Sequence, residues 1–176
     1  MENNLSYQDS IKEALVIALI QLMHHKNIKQ ITIQELVKKA GVGRSSFYRH
    51  FDSKEDILSY RINQLIDTTK FDLNPYTDKH LRSYMITQFR LWKNNKDFII
   101  VLKKNNLLYL LFKQTSLSAK NNINAFHLYK NPYQAVFFSS AAIRVIIQWI
   151  ENNFKESEEE LTEIFIYLMS GQHMQS

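Results

Sequence analysis

The side chains best suited to chemistry lie between residues 44 and 54 of this 176-residue chain. Helical spacing would place Arg44, Ser45, Tyr48 and Arg49 together on one side of a short helix. Arginine can donate two hydrogen bonds to guanine, serine can bond base edges or phosphate, and tyrosine offers a phenol to a phosphate oxygen. This set favours contact with a nucleic-acid duplex, and no catalytic chemistry needs it.

Enzymatic and metal chemistry find little support in the sequence. No two histidines have the i, i+4 spacing that places two metal ligands on one helix face. Cysteine is absent, which removes disulfides, thiolate nucleophiles and cysteine zinc sites. A glycine-rich phosphate loop is also missing, and the glutamates at 158–160 suit a helix start better than an acid/base pair. We predict no catalytic residue, no metal site, no cofactor and no enzyme activity.

Two short helices and a turn would hold the polar surface in place. Thr32 with Glu35 predicts a capping box, in which each side chain satisfies a free amide at the helix start. Gly41 stands where a left-handed residue ends that helix at least cost, and Gly43 offers a second permissive position. A second helix is predicted over residues 44–51.

The second helix has two unlike faces, and a third helix follows it. Phe47 and Phe51, one turn apart, would pack inward and leave the polar residues outside. Ser53 can cap the next helix, which is expected to run toward Phe71 before Pro75 interrupts it. The pattern predicts three helices that meet within about thirty residues.

The segment AGVGRSSFYRHFDSKEDIL, with Thr32 ahead of it, resembles the N-terminal signature of the TetR/AcrR family of bacterial one-component transcriptional regulators. The resemblance covers about the first third of the chain. It implies an all-α protein with a three-helix DNA-binding domain that contains a helix-turn-helix, and a C-terminal helical dimerisation and effector domain. We place these domains at residues 1–52 and 74–176, with a linking helix over 53–73.

Position by position, the resemblance implies a role for most of the polar residues. It makes Thr32 a phosphate contact at the start of helix two, and Lys54 a phosphate-binding lysine at the start of helix four. Arg49 is added from its outward face alone, because that family position is variable. The residues nearest the bases would be Arg44, Ser45 and Ser46, and the flanking contacts to the DNA backbone would be Tyr48 and His50.

Two residues depart from the family pattern. Val37 stands where relatives often carry alanine, and Ser45 stands where they often carry glycine. These changes bear on helix packing and on how closely the chain approaches the groove. Neither change removes a hydrogen-bond donor.

Composition and charge agree with this interpretation. Only 3 glycines and 2 prolines leave little room for the frequent turns of a sheet protein. The net charge is +5, and residues 26–54 hold seven lysines and arginines against two acids, a local +5. A second basic run over 79–113 is interpreted as a solvated helical face, and residues 151–163 are acidic.

The amino terminus is polar and acidic, so no signal peptide is expected. The longest apolar stretches are shorter than the ~20 residues that span a bilayer. We therefore expect a cytoplasmic protein without a membrane partner.

The last two helices indicate a homodimer. Residues 133–150 are apolar almost all round, and a second stripe follows in the final helix. A four-helix interface built from these two helices of each subunit would bury them, although the stripe could instead be internal core. A two-fold protein of this kind implies a near-palindromic operator.

The effector is not identified by the sequence. The linking helix would transmit its effect to the DNA, or would be a plain connector. Aromatic residues of the C-terminal domain could line a small-molecule pocket or simply pack together. These are Phe89, Trp92, Phe98, Tyr109, Phe112, Phe126 and Tyr129.

The sequence thus predicts a DNA-binding transcriptional regulator that acts as a repressor and is modulated by a small molecule or a protein. A transcriptional activator of the same family is one alternative. A helical protein-interaction adaptor is the alternative of a different class, but it would not explain Arg44, Tyr48 and Lys54 at their spacing.

Overall fold

The computed structural model describes residues 2–67, 78–114 and 132–170, and these residues form helices joined by short turns, without a β-strand. The all-α prediction is therefore confirmed. The helices are α1 (Glu2–Met23), a 3-10 helix (Ile28–Gln30), α2 (Ile33–Ala40), α3 (Arg44–His50), α4 (Lys54–Asp67), α5 (Asp78–Asn94), α6 (Lys96–Lys104), α7 (described over residues 109–114), α8 (Pro132–Glu151) and α9 (Glu158–Ser170).

Helix α1 is the central support of the amino-terminal half. It packs against α2, α3 and α4, and also contacts α6. Leu15 and Leu19 are fully buried on its inner face, and Ile11 and Met23 extend this apolar stripe toward the two ends. Burial of such side chains stabilises a fold by about 1.5–3 kcal/mol each, so α1 fixes the positions of the short helices around it.

The start of α2 follows the prediction only in part. The Thr32 hydroxyl accepts a hydrogen bond from the Glu35 amide across 3.1 Å, which caps the helix. The Glu35 carboxylate does not complete the predicted capping box, because it pairs with Lys26 across 2.5 Å. A nearby cation thus competes successfully with the amide of the capping residue.

Helix α2 ends in a Schellman motif. Gly41 has the left-handed φ of +67°, and its amide donates to the Lys38 carbonyl, while the Val42 amide donates to the Val37 carbonyl across 3.0 Å. Gly43, by contrast, has φ −76° and ψ 150°, an extended conformation open to any residue. The turn therefore requires glycine at the first position, and the second permissive position that we expected is not needed.

Helix α4 begins with a reciprocal cap. The Asp56 amide donates to Ser53 Oγ across 3.1 Å, and the Ser53 amide donates to Asp56 Oδ2 across 2.8 Å. Ile57 and Ile62 are fully buried, so one face of α4 belongs to the core. Of the linking helix that we expected over residues 53–73, the part beyond Asp67 lies outside the described residues, as do Phe71 and Pro75.

The C-terminal half has its own aromatic core. Phe89 of α5 contacts Trp149 of α8 and Phe165 of α9 edge to face, with ring centroids 5.7 and 6.1 Å apart. Trp92 and Phe98 are also buried, so these candidate pocket residues serve as packing. Two further candidates, Tyr109 and Phe112, are exposed, and another two, Phe126 and Tyr129, lie outside the described residues.

The second basic run and the acidic C-terminal segment meet in an ion-pair ladder. Lys93 Nζ lies 2.9 Å from Glu158 Oε2, and two further pairs join α5 to α9, which run antiparallel. The run is partly solvated, as expected, but this pairing was not predicted. The two further pairs are Arg90 with Glu159 and Arg82 with Glu163.

Candidate nucleic-acid interface

Helix α3 has the two faces that the sequence predicts. Phe47 is fully buried and Phe51 nearly so, because both rings join the core formed by α1 and α4. Arg44 and Arg49 are exposed on the other side, and half of the Tyr48 surface (51%) is accessible. The buried rings thus orient a cationic surface toward solvent.

Arg44 and Tyr48 contact each other one turn apart. The guanidinium carbon lies 5.6 Å from the ring centroid, and Nη2 lies 3.5 Å from the phenol oxygen. The Tyr48 ring in turn packs edge-on against Phe47, with centroids 5.0 Å apart. A cation over an aromatic face gains roughly 0.5–1 kcal/mol at an exposed site. Arg44 is therefore held near one orientation with most of its donors free for a ligand.

The serines at the start of α3 differ in exposure. Ser45 is exposed and Ser46 is half-buried. A Cβ atom on Gly43 would meet the hydroxyls of both at ordinary contact distances of 3.7 and 3.9 Å, so the start of the helix is open. Ser45, Arg44 and Arg49 thus form one accessible surface, with Ser46 at its edge.

Thr32 and Lys54 are brought together by the 3-10 helix. Lys54 Nζ donates to the carbonyl oxygens of Ile28 and Ile31, each across 2.5 Å. Thr32 directly follows Ile31, is exposed, and caps α2 through its oxygen, which leaves the hydroxyl hydrogen available. An ammonium group has three donors, so one Lys54 N–H remains for another acceptor beside Thr32.

His50 is the last of the predicted DNA-contacting residues of α3, and its side chain faces partly inward. Its Nε2 is buried and has no hydrogen-bond partner among the residues that the structure describes. Burial lowers the pKa of His50 below its ordinary value, and the charges of Lys12 and Arg49 lower it further. The ring is therefore neutral at neutral pH, and a contact of His50 with the DNA backbone stays a prediction.

The residues that fix the 3-10 helix were not among those predicted from the sequence. The Asn27 side chain accepts from the Lys29 amide across 3.0 Å, and Gln30 Oε1 accepts from the Asn27 amide across 3.2 Å. The Asn-x-x-Gln spacing is a recognisable capping signal. Asn105, from the distant end of α6, accepts from the Ile28 amide across 2.9 Å, and no local pattern predicts that bond.

Within residues 2–67, 78–114 and 132–170, the structure has no group of three His, Asp or Glu side chains that could hold a metal ion. Among the residues that the structure describes, no helix combines the length and the hydropathy of a transmembrane span.

Comparison with known proteins identifies the family. Residues 12–60 match the model of the bacterial regulatory proteins of the tetR family, and residues 79–171 match a transcriptional regulator C-terminal region. Together these matches cover most of the chain, and the helix-turn-helix of α2 and α3 lies within the first. The chain belongs to the TetR family of transcriptional regulators, which confirms the resemblance seen in the sequence.

Individual relatives are also regulators rather than enzymes. The chain is 31% identical over 105 residues to the uncharacterised HTH-type transcriptional regulator YerO of Bacillus subtilis (strain 168), covering 55% of this chain and 36% of that protein. It is 24% identical over 143 residues to an HTH-type transcriptional regulator of Staphylococcus aureus (strain bovine RF122 / ET3-1), and the match covers 81% of this chain and 66% of that protein. The chain thus spans about a third to two thirds of these relatives.

Solved structures share the fold. A TetR transcriptional regulator from Streptococcus agalactiae 2603V has a TM-score of 0.62 at 20% identity and covers 95% of this chain and 97% of its own. The dihydroxyacetone kinase operon activator DhaS has a TM-score of 0.58 at 16% identity, and the match covers 92% of this chain and 95% of DhaS. Because the sequence identities are low, the structural similarity supports the architecture alone.

Proposed function

We propose that this chain binds operator DNA as a homodimer and represses transcription, with α3 lying in the major groove. The observation that carries the proposal is the division of α3 between the buried Phe47 and the exposed Arg44, Ser45 and Arg49. Such a regulator acts in the cytoplasm, where bacterial DNA is found.

The proposed contacts divide into two classes. Arg44, with Ser45 and Ser46 beside it, reads base edges, because an arginine that keeps its donors free can bind guanine through two bonds. Thr32, Lys54 and the Tyr48 phenol bind phosphates on either side and position the helix. Arg49 and His50 complete the surface. Phosphate contacts are independent of sequence, so only the first class sets the operator.

The dimer is supported by the outer faces of α8 and α9. Helix α8 buries Ile143, Ile147 and Trp149 inside the subunit, so internal packing accounts for part of its apolar surface. The amino-terminal turns of α8 and the outside of α9 nevertheless expose large apolar side chains. These exposed residues are Tyr133, Val136, Phe137, Ile164, Tyr167 and Leu168.

A two-fold dimer of this kind would read two half-sites whose centres lie ~34–36 Å apart or at a multiple of that distance. Repression is the expected outcome, because a dimer that covers a promoter excludes polymerase. Activation is the second candidate, since the similarly folded DhaS is described as an operon activator. An effector, either a small molecule or a protein, would modulate binding through the C-terminal domain.

Selection of bound fragments from genomic DNA, followed by mobility-shift titration at several salt concentrations, tests the proposal. We expect a near-palindromic site and an affinity that falls steeply with salt. If the purified chain binds no duplex even at low salt and instead captures a protein partner, the adaptor interpretation replaces this one. A reporter gene behind the selected site separates repression from activation.

A further inference from the structure

The end of α6 connects α8 with the segment that leads into the helix-turn-helix. Lys103 Nζ donates to the carbonyl oxygen of Glu151, at the end of α8, across 2.9 Å. Two residues later, Asn105 Oδ1 accepts a hydrogen bond from the backbone amide of Ile28, in the 3-10 helix, across 2.9 Å. One helical turn thus contacts both the proposed dimer helix and the approach to α2.

The side chain of Asn105 is held in a single arrangement. It is buried, and its Nδ2 donates to the Val101 carbonyl one turn earlier across 2.9 Å, which directs Oδ1 toward Ile28. A buried amide that loses its acceptor costs about 1–3 kcal/mol. The bond to Ile28 is therefore a strong constraint on where the 3-10 helix lies.

The same residue of the 3-10 helix is held from its other side by Lys54. The Ile28 amide donates to Asn105, while the Ile28 carbonyl accepts from Lys54 Nζ across 2.5 Å. The Ile31 carbonyl takes a second bond from Lys54, immediately before Thr32. Asn105 and the proposed phosphate-binding ammonium of Lys54 are thus joined through a single residue, Ile28, although they lie 51 positions apart in the sequence.

We propose that Asn105 is a positioning residue for DNA binding. By fixing the 3-10 helix it sets the two carbonyls that orient the Lys54 ammonium, and therefore the direction of the N–H that remains for phosphate. This inference rests on the proposed function and deepens it. Because Lys103 joins the same turn to α8, a change in the packing of α8 reaches the amino end of α4 through Asn105.

A second link joins the two halves at a different place. Arg61, in the middle of α4, donates to Asn95 Oδ1 at the α5–α6 corner across 3.2 Å. That link bears on the tilt of α4 as a whole, whereas the Asn105 link bears on its first turn. The two predict different effects, because only the loss of the Asn105 bond changes the geometry of the Lys54 ammonium.

The test uses the full chain with Asn105→Ala, and Lys104→Ala as the matched control. Lys104 is the neighbouring residue and also joins α6 to the amino-terminal half, but through the His24 carbonyl at 3.0 Å, which lies outside the 3-10 helix. Binding to a duplex of arbitrary sequence is measured over a salt series, well below the melting temperature of each variant. A duplex of any sequence serves, because phosphate contacts are independent of sequence.

We expect Asn105→Ala to weaken binding by about 2- to 30-fold and to flatten the salt dependence by about one phosphate contact. Lys104→Ala should keep the wild-type slope. In a Lys54→Met background, Asn105→Ala should have no further effect on binding, because it acts through Lys54.

A residue that serves stability alone would give a different result. Asn105→Ala would then lower the melting temperature, while the folded protein would bind with the wild-type slope, and this result would overturn the inference. If the alanine variant does not fold, Asn105→Ser is the second variant, judged by the same slope. If the wild-type chain itself binds no duplex, the proposed function fails first. Wild-type binding together with an unchanged variant defeats only the role of Asn105.

Discussion

The Tyr48 ring lies beside the Arg44 guanidinium, with 5.6 Å between the guanidinium carbon and the ring centroid. This contact restricts a long side chain that would otherwise lose rotamer freedom on binding. Since Tyr48 is itself packed on the buried Phe47, the orientation of Arg44 depends on the core. The Arg44 side chain is therefore partly ordered within the protein itself, without a ligand.

We predict that Arg44→Ala relaxes base preference at one position of each half-site and costs about 1–3 kcal/mol of specific binding. The control is Arg90→Ala, which removes an exposed arginine of α5 that pairs with Glu159. Titration against operator variants with single base changes measures the preference. An equal loss on every sequence would contradict a base-reading role.

Lys54→Ala should reduce both DNA binding and stability. It removes one proposed phosphate contact, which flattens the salt slope by about one unit. It also leaves the Ile31 carbonyl without this donor, while the Ile28 carbonyl keeps the hydrogen bond from the Ile31 amide. The free energy of unfolding should fall by about 1–3 kcal/mol. Lys39→Ala, on the exposed side of α2, is the control for charge alone. Denaturant unfolding and salt titration separate the two effects, and an unchanged slope would remove Lys54 from the phosphate contacts.

These residues also indicate what sequence can predict. Local sequence patterns predict the Thr32 cap, the left-handed Gly41 and the inward Phe47, because each depends on neighbours within a few positions. Lys54 donates two hydrogen bonds to the carbonyls of Ile28 and Ile31, and Ile28 is bonded in turn to Asn105. These contacts join residues that are far apart in sequence. Such contacts depend on how helices pack, which periodicity alone does not determine.

Gly41→Ala should destabilise the protein by about 1–2 kcal/mol, because the φ of +67° strains any residue with a Cβ atom although there is space around it. Gly43→Ala is the natural control. Its φ of −76° suits alanine, so we expect a change within about 0.5 kcal/mol. Thermal unfolding compares the two variants, and equal destabilisation would contradict the backbone explanation. If Gly43→Ala keeps its stability but binds DNA more weakly, the added methyl group obstructs a close approach of α3 to the duplex.

Ile164→Glu should weaken the dimer, because it would bury an unpaired carboxylate in the proposed interface. We expect the dissociation constant, measured by sedimentation equilibrium, to rise at least about tenfold. Ile17→Glu makes the same change at an exposed position of α1 and should leave association unaltered. A dimer that tolerates Ile164→Glu as well as Ile17→Glu would require an interface elsewhere.

Acid should weaken the contact between α5 and α9. The hydrogen bond from Lys93 lowers the pKa of Glu158 below its ordinary 4.5. The unfolded chain therefore binds this proton more readily, so the stabilisation is present above pH 4.5 and is lost as the pH falls through the folded pKa.

We expect Glu158→Gln to make the fall of the melting temperature in acid shallower than in the wild type. Glu159→Gln, at the more exposed pair with Arg90, should change it less. Melting curves at neutral and acid pH provide the comparison. Identical pH profiles for Glu158→Gln and the wild type would show that the Lys93 pair has no part in acid sensitivity.

The ion-pair ladder has a consequence for how the molecule meets a polyanion. Glutamates of α9 offset three cations of α5, whereas residues 26–54, which hold α2 and α3, keep seven lysines and arginines against two acids, a local charge of +5. A local positive field of this kind raises the rate at which a polyanion encounters that segment. The rate of encounter with a polyanion can thus rise without any increase in the net charge of the protein.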